Sequence, residues 1–186
     1  MAWYVIDGMD GSGKSTAAGT LERILSEKGR RVRIYNHPND ECVFGRMSRR
    51  CLLKHGTPAK LFSAAFLICD IIHSLFSMKR SDCDDVIFTR YTMSACYLSS
   101  KVFVPVYDIL TAILPRPDMG LLLDVTPETA FKRIHSRGED LEMFENMESL
   151  EKTRNKMLSV SDNWTITDAE LTPREIEDVL RSIVKG

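Results

Sequence analysis

The sequence predicts a three-layer α/β fold, a five-stranded parallel sheet with helices on both faces. Two observations carry this. Five short apolar runs alternate with segments of helical periodicity, an order that builds a parallel sheet through helical crossovers. The first run, residues 3–6, passes straight into Gly8-x-x-x-x-Gly13-Lys14-Ser15 and then into a helical pattern. Strand, glycine loop and helix in that order form a phosphate-binding P-loop.

Each element has its own signal. The first helix covers residues 14–28 and stops at Gly29, glycine being the favoured residue just past a helix end. Residues 32–35 form the second strand, closed by Asn36-His37-Pro38, and an arginine-rich helical stretch follows over 41–55. Thr57-Pro58 reads as an N-cap and first-turn proline opening a long helix to Met78. Residues 86–89 are the third strand, with Asp82, Asp84 and Asp85 before it. Helical material spans 92–114, with a break expected near Pro105 and an end at Pro115 and Pro117. Residues 120–124 (GLLLD) are apolar without interruption, as a strand buried on both faces should be. Thr126-Pro127-Glu128 caps a helix ending near Arg137-Gly138, and a charged stretch leads into another helix ending at Leu158. Residues 164–167 are the last strand, and Thr172-Pro173-Arg174-Glu175 starts the terminal helix.

Length and composition set bounds. The 186 residues suit one domain with a covered sheet and a cleft. A net charge of -1 gives no support for binding nucleic acid or an anionic membrane. Five cysteines, an odd number without a C-x-x-C pair, read as reduced thiols of a cytoplasmic protein. The first strand starts at residue 3, leaving no room for a targeting peptide. The most apolar segment, residues 61–76, is interrupted by Asp70 and His73 and reads as too short to span a bilayer.

The loop's chemistry is phosphate binding. Glycines 8, 11 and 13 permit backbone geometries that turn successive N–H groups toward an anion, and the following helix adds the positive end of its dipole. Lys14 reaches the β- and γ-phosphates, and the Ser15 hydroxyl is placed to ligate Mg²⁺. In such sheets ligands lie at the carboxyl ends of the strands. Asp7, His37, Thr89, Arg90, Asp124 and Asp168 are therefore site candidates, whereas Asp84 and Asp85 are expected only to solvate the far edge.

Over nearly its whole length the chain resembles the thymidylate kinase family. Residues 6–16, IDGMDGSGKST, are similar to the family's first strand and P-loop, internal aspartate included. Thr89-Arg90-Tyr91 with Ser94 matches its D-R-Y-x-x-S except at the first position. Pro117-Asp118, then Leu122-Leu123-Asp124-Val125-Thr126-Pro127-Glu128, match its P-D-x-x-x-x-L-D-V-x-P-E. Phe144-Glu145 and residues 150–154 look like the helix after its lid, and Asp168-Ala169 like the segment beside adenine.

The resemblance implies a P-loop NTP hydrolase-like fold of strand order 2-3-1-4-5 and a lid at about 136–146. It implies ATP and Mg²⁺, small nucleotide substrates, dTMP as the favoured acceptor, and pairing of two copies through their helices. Gly8, Asp10, Gly11, Ser12, Gly13, Lys14, Ser15 and Thr16 would hold ATP and the metal, with Asp168 and Ala169 at the adenine. Asp10 would meet the acceptor's 3′-hydroxyl; a turn-stabilising aspartate is the plainer reading. Arg90 and Arg49 would clamp the acceptor phosphate, since a guanidinium offers two parallel donors to an oxyanion; for Arg49, beside Arg46 and Arg50, a solvated face is the alternative. Tyr91 joins the acceptor side. Arg133 and Arg137, four apart on one helix face, would supply the transition-state cation, because Gly11 stands where some members carry an arginine. A surface pair is the alternative.

Three departures stand out. Thr89 replaces the family's aspartate near the acceptor phosphate and the metal; its hydroxyl can ligate Mg²⁺ or hydrogen-bond but carries no charge, so either Asp7 or Asp124 compensates or the chemistry is slower or different. Phe62 falls where an aromatic ring stacks on thymine, but Phe66 falls where an arginine reads the base edge; helix core is the plainer reading of both. His37 stands before Pro38 where bacterial members have a glutamate. Two other readings follow: a kinase of a different small acceptor, or a nucleotide-binding protein or slow ATPase without a transfer partner.

Overall fold

The computed structural model describes residues 1–53, 57–136 and 146–184. Five strands, β1 (Ala2–Asp7), β2 (Val32–Asn36), β3 (Asp85–Thr89), β4 (Met119–Asp124) and β5 (Thr165–Asp168), form one sheet. All pairings are parallel and the order is β2-β3-β1-β4-β5. β1 is thus central, and Asp7, Asn36, Thr89, Asp124 and Asp168 end their strands along one edge. The fold class and strand order are as expected.

Alternation of side chains divides the core. On one face Ile6 and Ile87 pack with Leu121 and Leu123 against α1 (Lys14–Glu27) and Leu180 of α7 (Pro173–Ile183). On the other, Val5, Val86 and Phe88 pack with Ile71, Leu75 and Met78 of α3 (Thr57–Lys79). Successive strand residues point to opposite faces, which is why β3, buried throughout, reads as a continuous apolar run. Trp3, Tyr35 and Tyr91 meet the Phe88 ring edge-on and fix this second layer.

α3 corrects one expectation. Its Leu61–Lys79 stretch, mean hydropathy 1.8, is by length and composition long and apolar enough to cross a membrane. Here it lies on the sheet, and its polar residues are used inside the protein. Buried Asp70 accepts the Asn39 N–H at 2.7 Å, and the Ser74 hydroxyl meets His37 Nε2 at 2.9 Å. Its partner α2 (Val43–Leu52) is tied to it by Ser48 Oγ donating to the Ser63 carbonyl at 3.0 Å.

Two further readings shift. The stretch after β3 is a 3-10 helix, Thr92–Tyr97, followed by α4, Phe103–Ile113. The break therefore precedes Pro105, which sits in α4's first turn where its missing N–H costs nothing. Asp85 is not a solvated edge residue: it is 0% exposed, accepts the Ala2 N–H and pairs with the Arg30 guanidinium. The strand starts one residue earlier than its apolar run, and Arg30 reaches over the end. α5 (Pro127–His135) opens on Thr126 as cap, α6 (Met147–Ser159) on Asn146, and α7 on a Thr172–Glu175 capping box. The expected lid, save Ser136 and Asn146, lies outside the described residues.

Candidate active site

The P-loop connects β1 to α1 and is held from below by Asp7. The buried Asp7 carboxylate accepts the Gly8 N–H at 2.9 Å and the Tyr91 N–H at 2.7 Å. Burial raises its pKa against the pull of those amides and of Lys14 and Arg90. Gly11 and Gly13 have φ of 78° and 90°, a region that favours glycine. The Lys14 ammonium donates to the carbonyls of Gly8 at 2.8 Å and Met9 at 2.7 Å, at the mouth of the loop. The Ser12 hydroxyl is buried in the loop with no partner, while Ser15 and Thr16 are exposed at the start of α1. An orphaned hydroxyl, a buried cation and the amino end of a helix fit nucleotide phosphates. Among the described residues no cluster of three or more His, Cys, Asp or Glu could hold a metal. The Ser15 hydroxyl at the start of α1 is a side chain that could hold Mg²⁺, an ion that commonly keeps substrate oxygens and water among its ligands.

The acceptor side begins where β3 ends. Arg90 takes the left-handed backbone, φ 69°, an uncommon conformation for a non-glycine residue that clusters at functional sites. Its N–H donates to the Ile6 carbonyl at 3.1 Å. Its guanidinium turns to the Asp10 carboxylate and lies 5.7 Å from the Tyr97 ring centre. The Tyr97 hydroxyl donates to the other Asp10 oxygen at 3.0 Å. A cavity runs from Asp10, Arg90 and Tyr97 to Ala64, Leu67 and Leu98. Ser94 lines it too, its hydroxyl buried and unpartnered. Arg49 lies beside the cavity-lining Pro38, with Nε 3.1 Å from Asp40 and Nη2 3.5 Å from the Pro38 carbonyl.

Other candidates fall elsewhere. Phe62 is 57% exposed, and neither it nor Phe66 lines the cavity; Ser63, Ala64 and Leu67 do. At about 100° per residue those three share one arc of the helix, Phe62 lies roughly opposite Ala64, and Phe66 lies just outside the arc on the Ser63 side. The Tyr91 ring is in the core, 5.2 Å from Trp3, with its hydroxyl on the Pro115 carbonyl. Thr89 is buried and donates to Asn36 Oδ1 at 2.9 Å. Neither carboxylate that could compensate for it is idle: Asp7 holds two loops, and Asp124 takes both bonds of Arg154, each 2.7 Å. His37 is 4% exposed, behind the strand ends, with Nδ1 3.2 Å from the Thr89 carbonyl.

Beyond the P-loop, Arg133 donates to the Gly11 carbonyl at 3.3 Å and the Ala169 carbonyl at 3.0 Å. Ala169 is buried, its N–H on the Asp124 carbonyl at 2.7 Å, and Asp168 accepts the Glu170 N–H at 2.8 Å. Arg137 lies outside the described residues.

Comparison with known proteins shows the family. A family model for thymidylate kinase matches residues 6–183. The chain belongs to the thymidylate kinase family. A probable thymidylate kinase of Archaeoglobus fulgidus is 29% identical over 186 residues, covering 97% of this chain and 93% of its own. One from Pyrobaculum calidifontis is 28% identical, covering 98% and 95%. A thymidylate kinase of Xanthomonas euvesicatoria pv. vesicatoria is 32% identical, covering 80% and 67%.

In this thymidylate kinase family member, two side-chain partners beside the candidate site were not singled out in the sequence. Tyr97 had a signal, its spacing of three from Ser94, since a 3-10 helix puts i and i+3 on one edge. Arg154 lies in the 150–154 segment that resembles the helix after the lid, but nothing signalled its pairing with Asp124, 30 residues away.

Proposed function

We propose that the protein transfers the γ-phosphoryl group of ATP to a nucleoside monophosphate, with dTMP as the acceptor. The observation that supports this most is Arg90 meeting Asp10 of the P-loop across one cavity. Donor cradle and acceptor cation are then one side chain apart. The loop amides and Lys14 hold the ATP phosphates; Ser15 would hold Mg²⁺, which would supply further charge neutralisation there. Arg90 and Arg49 clamp the acceptor phosphate, Asp10 faces its sugar 3′-hydroxyl, and the base lies toward Leu67 and Leu98. An acceptor phosphate oxygen then bonds to the γ-phosphorus as the bond to ADP breaks. Such transfer needs little beyond alignment and charge neutralisation. Arg133, placed between the P-loop and Ala169, belongs to the nucleotide side, and Arg137 would bring a second cation from the lid.

ADP release with Mg-ATP, measured against a panel of nucleosides and nucleoside monophosphates, tests the reading. Stimulation by dTMP, and a loss on the order of 10²–10³-fold in kcat/KM on Arg90→Ala, are expected. No stimulation by any acceptor, with ATP still bound, would overturn it.

We infer also that two copies pair through the outer edge of α3. Phe62, Ile72 and Phe76 are exposed there with Cys69, spaced as one helical stripe. Light scattering should give twice the mass of 21.2 kDa, and Ile72→Glu with Phe76→Glu should halve it. The five free cysteines suit a single kinase domain working in the cytoplasm.

A further inference from the structure

Both oxygens of the Asp10 carboxylate are engaged within the protein. Oδ1 takes the Arg90 guanidinium and Oδ2 the Tyr97 hydroxyl at 3.0 Å, with the Lys14 ammonium 3.9 Å from Oδ1. Asp10 lines the cavity but is only 4% exposed. Burial works against its charge, yet Arg90, Lys14 and the Tyr97 hydroxyl outweigh it and hold the carboxyl below its usual range. Tyr97 is the natural donor. Burial and the adjoining Asp10 charge push its phenol well above its usual pKa, so the proton stays on the hydroxyl.

How Asp10 is satisfied decides what it can select. A buried polar group awaiting a ligand's hydrogen bond rejects an analogue lacking that bond by about 10⁴–10⁵-fold, because the group is left unpaired. A group already satisfied by its own protein imposes no such penalty. Resting on the reading that Asp10 faces the acceptor's sugar, we propose that Tyr97 is a specificity residue. It gives Asp10 the hydrogen bond that a 3′-hydroxyl would otherwise supply. Nucleoside monophosphates without that hydroxyl, the 2′,3′-dideoxy acceptors, are then phosphorylated nearly as well as dTMP. The reacting atoms are unchanged: the 5′-phosphate oxygen bonds to the γ-phosphorus and ADP leaves, whatever the 3′-carbon carries.

The test compares kcat/KM for dTMP and for 2′,3′-dideoxythymidine monophosphate, in the wild type and in Tyr97→Phe. The wild-type preference for dTMP should be no more than about tenfold, against the far larger ratio of a site that waits for the hydroxyl. In Tyr97→Phe the preference should rise at least tenfold, since Asp10 Oδ2 then turns to the substrate and only dTMP can answer it. A purely structural effect of losing the phenol would slow both substrates alike and leave the ratio where it was. A wild-type preference above tenfold, or an unchanged ratio in Tyr97→Phe, overturns the proposal alone. No turnover of dTMP by the wild type would overturn the kinase reading and this proposal with it.

Discussion

Gly11 lies directly against Ala130 of α5. A β-carbon at Gly11 would stand 2.5 Å from the Ala130 carbonyl oxygen and 2.8 Å from its Cα. The contact sets the distance between P-loop and α5, and one turn further on it brings Arg133 onto the Gly11 carbonyl. An arginine in the loop at this position has no room, and its backbone would be strained at φ 78°. Gly11→Arg is therefore expected to lower kcat at least about 100-fold and stability by about 2–4 kcal/mol. Urea denaturation and ADP release measure the two. Wild-type stability in this variant would mean that the loop can move off α5 freely.

Arg154 and the Asp124 carboxylate join α6 to the carboxyl end of β4 through two 2.7 Å bonds, and the Asp124 backbone carbonyl receives the Ala169 N–H. The pair is partly open to solvent, so its worth is below that of a fully buried bridge. Arg154→Ala should cost about 1–2 kcal/mol, and the double variant with Asp124→Asn less than the sum of the two single ones. Additive losses in a denaturation cycle would show that the two side chains do not act together.

The P-loop, the alternation of strands and helices and the helix caps were legible because each is written in contiguous residues or fixed spacing, whereas the strand order came from the family resemblance. Lys14 and Ser15 follow Gly13, and Thr172 and Glu175 make a capping box from adjacent chain. What was not legible depends on distant partners. Asp85 looked like a solvated residue until Arg30, 55 residues away, covered it. Tyr91 follows Arg90 in a motif, but the turn of the chain at Arg90 sends its ring into the core. Phe62 and Phe66 took their assignment from the family resemblance, while the helix face that meets the cavity is set by how α3 packs on α2.

That facing gives a separable prediction for the acceptor pocket. Leu67 lines the cavity and Phe62 is off it. Leu67→Ala opens a gap where the base would rest and should raise the acceptor's KM about 10-fold or more, in keeping with 1–3 kcal/mol for a methylene or more of apolar contact. Phe62→Ala should leave KM within about threefold, as an exposed residue outside the pocket. Steady-state titration of dTMP at saturating ATP reads both. A larger effect at Phe62 than at Leu67 would return the base to the aromatic side of α3.

His37 makes stability depend on pH in a stated direction. Burial is the main cause that lowers its pKa from 6.5 to about 4, with the Arg90 charge adding and hydrogen bonds to the Thr89 and Arg90 backbone opposing. The imidazole is neutral in the fold, bridging Ser74 and the Thr89 carbonyl. Below pH 6.5 the unfolded chain binds the extra proton and the folded one does not. The stability that His37 contributes is therefore fully present above 6.5 and is lost as pH falls toward 4. Asp7, its pKa raised by burial, acts in the opposite sense, since the folded form keeps its proton to higher pH. A comparison of variants separates the two. Between pH 7 and pH 5 the wild type should lose about 2 kcal/mol more than His37→Gln, at roughly 1.4 kcal/mol per pH unit for one proton. Glutamine can still bond Ser74 but does not titrate. Parallel losses in urea denaturation of the two proteins would mean that His37 is reached by protons in the folded state, and that the ends of β2 and β3 open far more readily than their packing suggests.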